Sequence, residues 1–209
     1  MSVDPSTKTR QRIMQAATEL FAEKGFAQAS TREIAKRADV NIASLHYHFG
    51  DKADLYRTVF SEFSRRAQST APAIDYEKAS FAEIYTEFNR EFFVHIADPH
   101  LPRLAARERL EPSGVLGDAW LEEIRCRHQT LDRVIARELG LAETDVDVQR
   151  LTFAVTGMVL LFDHARPIMD NIAPDLTTGE GWIETTLSRL TIYAQGIIEA
   201  ERNRRRAAS

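Results

Sequence analysis

Apolar residues recur along this chain at helical spacing, and no stretch alternates as a half-buried strand would. Near the start, Ile13, Ala16, Ala17, Leu20 and Phe21 follow the three-and-four spacing that lines one helix face. Gly25 stops that helix, because glycine tolerates the left-handed conformation of a C-terminal cap, and Phe26 can pack back on the last turn. The stretch "STRE", Ser30 to Glu33, reads as a capping box in which the serine accepts a free amide and the glutamate returns the bond. Ile34, Ala35 and Ala38 give a second helix its buried side, ending at about Ala38 in a turn of Asp39, Val40 and Asn41. A third, very short helix starts near Ile42 and ends before Gly50. Asp51 then caps a fourth, whose Leu55, Val59 and Phe63 carry it towards Pro72. Helix, tight turn and helix in so short a span is the geometry of a helix-turn-helix.

Further helices are predicted around 79–97, 101–110, 118–138, 144–171 and 180–204. Breaks are expected at Pro99, Pro102, Pro112, Gly114, Gly117, Gly140, Pro174 and Gly179, and Pro167 should kink or end the helix that holds it. The terminal "RNRRRAAS" reads as a frayed basic end. The expected fold is all-α: a three-helix helix-turn-helix domain over 8–68 and a further helical domain over 69–209.

Composition narrows the functions open to such a fold. Apolar content of 44% and charged content of 28% are those of a globular protein. The basic residues near the N-terminus are followed by no apolar stretch, so no signal peptide is expected. The longest nearly apolar run, Phe153 to Phe162, falls far short of the roughly 20 residues of a membrane span. The single cysteine, Cys126, cannot form an internal disulfide, which fits a reducing cytoplasm. The net charge of −4 hides an asymmetry: residues 1–66 hold eleven Lys and Arg against eight Asp and Glu, and the remainder is acidic. Any polyanion should therefore meet the front of the chain.

The segment "VNIASLHYHFGDK", Val40 to Lys52, carries the candidate chemistry. His46 and His48 are two apart, so on a helix they diverge and cannot share a metal ion, and no cysteine lies near them. A histidine base needs an oriented partner and a nucleophile, and only Ser44 and Asp51 are close in sequence. Nucleic-acid contact fits better. Leu45 and Phe49, four apart, face the core and leave Ile42, Ala43, Ser44, His46 and Tyr47 outward. Ala43 is small enough for close entry to a major groove, where Ser44 and His46 reach base edges. Tyr47 and His48 can donate to phosphates, and Lys52 at a helix N-terminus can bind another. Thr31 and Arg32 open the second helix, near the backbone or a base.

These residues carry a family resemblance. Arg12 to Phe60, with "LFAEKGF", "TREIAKRADV", "HYHF" and the Lys-x-x-Leu of "KADLY", resembles the DNA-binding domain of the TetR (tetracycline repressor-like) family. The resemblance implies an all-helical homodimer that binds a palindromic double-stranded operator, usually as a repressor released by a small ligand. It places Thr31, Arg32, Ser44, His46, Tyr47, His48 and Lys52 at DNA-contact positions. His46 departs from the tyrosine frequent there, and Ile42 and Ala43, lacking hydrogen-bonding groups, are expected against thymine methyls. The segment "RERLEPSG", Arg107 to Gly114, resembles the C-terminal domain of the CecR-like subgroup.

Two recognition helices held together bind far more tightly than one, so a dimer surface is expected. Ile183, Leu187, Leu190, Ala194 and Ile197 form an apolar seam at four-three spacing. The preceding helix is apolar nearly all round, with Val155, Val159 and Phe162 on one side and Gly157 permitting close approach. These two helices are the expected dimer contact. Phe92, His95, Arg107, Trp120 and His164 are the candidates for a small-molecule effector pocket. No cofactor and no metal is expected. An activator or ligand-independent regulator on the same scaffold is the first alternative. The second is a helical enzyme with His95 or His164 as base, which lacks any nucleophile–base–orienter pattern.

Overall fold

Helix is the only regular structure among the residues that the computed structural model describes, which are 4–70, 74–96 and 100–208; the side chains at 63–70, 91, 92, 94–96, 101, 119 and 163 lie outside that description. The order is α1 (Pro5–Gln28), α2 (Thr31–Arg37), α3 (Ile42–Phe49), α4 (Lys52–Thr70), α5 (Phe81–Ile96), α6 (His100–Leu110), α7 (Gly117–Leu139), α8 (Val146–His164), α9 (Arg166–Ile172) and α10 (Trp182–Ala208), with a 3-10 turn at Pro174–Leu176 before α10. Among the described residues, no helix is long and apolar enough to cross a membrane. The helices group into two compact units, Met1–Thr70 with His95–Gly117, and Ala71–Val94 with Asp118–Ser209.

In the first unit, Gly25 leaves helical geometry at φ 76°, and the chain resumes for one more turn before Ala29. The interruption frees the carbonyls of the preceding turn. Arg107 of α6 meets them, donating to Ala22 O at 3.0 Å and Glu23 O at 2.9 Å, a cation on the negative end of a helix. Beside it Glu108 is buried, accepting from Tyr56 Oη at 2.8 Å, Ser113 N at 3.1 Å and Ser113 Oγ at 2.9 Å. Burial, and then the bond to Glu108, push the Tyr56 phenol well above its ordinary value. Phe21, Phe26 and Phe60 surround that ring at centroid distances of 4.8, 5.0 and 5.1 Å. The "RERLEPSG" segment thus belongs to the body of the unit that carries α1 to α4.

The second unit packs α8 against α10 over Val148, Leu151, Val155, Val159, Leu187, Leu190, Ala194 and Ile198, all buried. Tyr85 of α5 donates to Val155 O at 2.8 Å, and Thr86 meets Thr191 at 2.9 Å. The expected dimer seam lies on these two helices. Val155, Val159, Leu187, Leu190 and Ala194 are buried inside one chain, and Phe162, Ile183 and Ile197 are half-buried beside them. Four-three spacing shows that a helix packs on a helix, but not whose helix it is.

Three other expectations change. Pro102 does not break α6; it sits in the first turn, where its missing donor costs nothing. The helix expected over 144–171 ends at His164, and Pro167 lies at the start of a separate α9, as a proline there should. The basic C-terminus is not frayed. Within α10, Arg202 bonds Glu138 O at 2.9 Å, and Arg205 bonds Asp147 at 2.6 Å and Glu201 at 2.7 Å. Arg204, followed by Arg205, holds the Glu201 carboxyl down to about 2 from an ordinary 4.5. A depressed carboxylate stabilises the fold above its unfolded value and loses that contribution as pH falls through the folded one. The melting temperature of the wild type should therefore fall more steeply than that of Glu201→Gln between pH 4.5 and 2. Parallel curves in thermal melts across that range would count against the network.

Candidate nucleic-acid interface

The recognition segment is built from its caps inward. Ser30 and Glu33 close the capping box of α2, with Glu33 N donating to Ser30 Oγ at 3.2 Å and Ser30 N to Glu33 Oε2 at 3.3 Å. Lys24 adds a 2.6 Å bond, and it and Ser30 hold the Glu33 carboxyl below its usual range. Asp39 takes φ 50° in the turn, a left-handed conformation that aspartate tolerates better than most residues, and Arg12 of α1 grips its carbonyl at 2.6 Å and its carboxylate at 2.9 Å. Asn41 then caps α3, accepting from Ser44 N at 2.6 Å. Leu45 is fully buried and Phe49 nearly so, which fixes the rotation of α3.

That rotation leaves Ile42, Ala43, His46 and Tyr47 exposed, with Ser44 and His48 half-exposed. Tyr47 is 84% exposed, an extreme value for so large a ring, with the His48 ring edge-on at 5.2 Å. His46 Nδ1 donates to Gly50 O at 2.8 Å. On α2, Thr31 is half-exposed and Arg32 exposed. Reading the sequence did not single out Arg10 or Lys36 beside this surface. Both are exposed, Arg10 lies over the Phe49 ring at 5.1 Å, and Lys36 shares the short α2 with Arg32. A cation on the exposed side of α2 was a usable signal for Lys36; no local pattern connects Arg10 to α3.

Lys52 makes its contacts within its own unit. Its ammonium donates to Phe26 O at 2.9 Å and Ala29 O at 3.1 Å, with Ala27 O at 3.5 Å, and lies 4.3 Å from the centre of the Phe26 ring. Three donors on three carbonyls tie the end of α1 to the start of α4. Carboxylates already serve the first amides there, with Asp54 N on Asp51 Oδ1 at 2.8 Å. Lys52→Ala should lower the stability of the protein by about 2 kcal/mol, the worth of a charged donor taken from part-buried carbonyls. Denaturant melts check this; weaker DNA binding at unchanged stability would return Lys52 to a plain phosphate contact.

Three of the expected effector residues, Arg107, Trp120 and His164, have described side chains. Arg107 is engaged on the carbonyls of α1 in the first unit. Trp120 is half-buried in the second unit, and His164 is exposed at the end of α8, where its Nδ1 donates to Leu160 O at 2.8 Å. The side chains of Phe92 and His95 lie outside the described residues. A cavity of about 660 Å³ in the second unit is lined instead by Ile74, Asp75, Lys78, Ala79, Ala82, Glu83, Thr86 and Glu87. Among the described residues no cluster of His, Cys, Asp and Glu is placed to hold a metal ion.

Comparison with known proteins bears on the same surface. Residues 13–59 match the family model for bacterial regulatory proteins, tetR family, and residues 82–197, more than half the chain, match that of the HTH-type transcriptional dual regulator CecR, C-terminal domain. The dual regulator CecR of Shigella flexneri is 27% identical over 169 residues, which cover 74% of this chain and 75% of that protein. The probable HTH-type regulator YttP of Bacillus subtilis is 47% identical over 55 residues, and the match spans 26% of this chain and only 27% of YttP. A TerR/AcrR-family transcriptional regulator from Aquifex aeolicus shares the fold, with a TM-score of 0.60 at 16% identity, over 90% of this chain and 99% of that one. With α2 and α3 forming the helix-turn-helix and the CecR-type match running from α5 into α10, the chain belongs to the TetR family of transcriptional regulators, with a DNA-binding domain at its N-terminus and a C-terminal domain of the CecR type.

Proposed function

We propose that the protein is a homodimeric repressor that binds an inverted-repeat operator through α3 and is released by a small molecule. The observation that carries the reading is the rotation of α3: two buried residues brace it, and an exposed tyrosine and histidine stand on its outer side. Ile42 and Ala43 would meet thymine methyls, and Ser44 and His46 base edges. Tyr47, His48, Thr31 and Arg32, joined by Lys36, would bind phosphates. Lys52 acts by holding the frame.

The dimer is proposed on the outer stripes of α8 and α10. Phe153 and Leu161 are 68% and 62% exposed, with exposed Gly157 between them at four-residue spacing. On α10, Ile192 is 51% exposed and Gly196 follows one turn later. A Cβ at either glycine would meet nothing within 4 Å. The chain itself has no use for these mid-helix glycines, each of which costs about 1 kcal/mol against alanine. Close approach of a second copy gives them one.

The name of CecR, a dual regulator, favours a second reading in which the same dimer also activates. Selection of bound fragments from random duplex DNA tests the core of the proposal. An inverted repeat with half-sites about 34–36 Å apart, bound more weakly as salt rises, is the expected result. No salt-sensitive affinity for any duplex would overturn it. Adding candidate ligands to the operator complex tests release.

A further inference from the structure

His46 is held in a way that limits which bases it can read. Its Nδ1 lies 2.8 Å from Gly50 O, and a carbonyl only accepts, so Nδ1 carries the proton. The bond is one of a pair, since Gly50 N donates to His46 O at 2.9 Å. Gly50 is itself fixed in place. It takes φ 74°, and a Cβ there would come within 2.8 Å of Asp54 Oδ2. The two bonds close a small ring at the end of α3 and set the angle of the imidazole. Nε2 is then the free edge of an exposed ring, and among the described residues nothing bonds it.

In the neutral ring with Nδ1 protonated, Nε2 is an acceptor and nothing else. The donors on major-groove base edges are the N6 amine of adenine and the N4 amine of cytosine; guanine O6 and N7 and thymine O4 only accept. Building on the proposed operator binding by α3, we infer that His46 is a specificity-determining residue that selects an exocyclic amine, adenine or cytosine, on the one strand it faces at one base pair of each half-site. A guanine or thymine edge would face the Nε2 lone pair of that form with another acceptor, while the Nδ1–H is already held by Gly50 O.

The test uses the full-length protein and random duplex selection, run for the wild type, His46→Ala and His46→Asn. At one symmetric base pair the wild type should prefer one orientation, the amine-bearing base on the same strand in each half-site, by on the order of tenfold, the scale of a single mismatched base pair. His46→Ala should lose that preference and keep the rest of the motif. His46→Asn, whose amide can still donate to Gly50 O but has no atom at the place of Nε2, should lose it too. In the selected site, replacing the base by an analogue lacking the exocyclic amine should weaken the wild type by the same factor and leave His46→Ala unchanged. If the wild type lost no affinity when the amine is removed from the pair that His46 controls, the inference would be overturned, as it would by identical motifs from all three proteins; either leaves operator binding standing. Failure of the wild type to enrich any sequence would overturn both.

Discussion

With leucine in place of Gly157, the protein should stay folded but sediment as a monomer. The backbone at this position opens to space, since a Cβ meets nothing within 4 Å. Within its own chain the substitution is thus free of clashes, and it should add roughly 0.5–1 kcal/mol to helix stability because glycine is a poor helix former. Across a close helix pair the same side chain holds two backbones apart. Operator affinity should then fall about a hundredfold or more, because two half-sites no longer bind as one linked event. Sedimentation, a thermal melt and an operator titration on one preparation separate the three effects. Gly196→Leu on α10 should behave alike. If both variants remain dimers, the outer stripes are not the contact.

Leu45→Ala should do the reverse, leaving oligomeric state intact and removing operator binding through loss of stability. Leu45 is fully buried beneath a helix of eight residues. A helix that short does not persist by itself in water; packing sustains it. Emptying a leucine site in a packed core costs about 2–5 kcal/mol, a large fraction of the 5–15 kcal/mol that holds a typical domain. The control is Tyr47→Ala on the same helix. A residue 84% exposed should change stability by no more than about 0.5 kcal/mol, yet its removal should weaken operator binding sharply. Chemical denaturation paired with DNA titration distinguishes them. Equal stability losses at 45 and 47 would mean that α3 is not rotated with Leu45 inward and Tyr47 outward.

Much of the helix-turn-helix was legible in the residues alone, because the interactions that shape it are local. The capping box of Ser30 and Glu33, the break at Gly25, and the pairing of Leu45 with Phe49 on one face all act within about four residues, the reach of a helical turn. They determined where α2 and α3 begin and end, and which side of α3 is outward.

Contacts between distant residues were decided by the tertiary structure. Lys52 reaches carbonyls 23 to 26 residues upstream, and Arg107 reaches carbonyls 84 and 85 residues away. A lone cation in a sequence carries no mark of whether a phosphate or a helix end will meet it. The apolar stripes of α8 and α10 divide for the same reason. Periodicity records that a face avoids water, and only the folded chain reveals that Val155 and Leu187 satisfy that need internally while Phe153 and Ile192 do not. Helical period is a property of neighbours along the chain; the identity of the covering surface depends on which segments folding brings together.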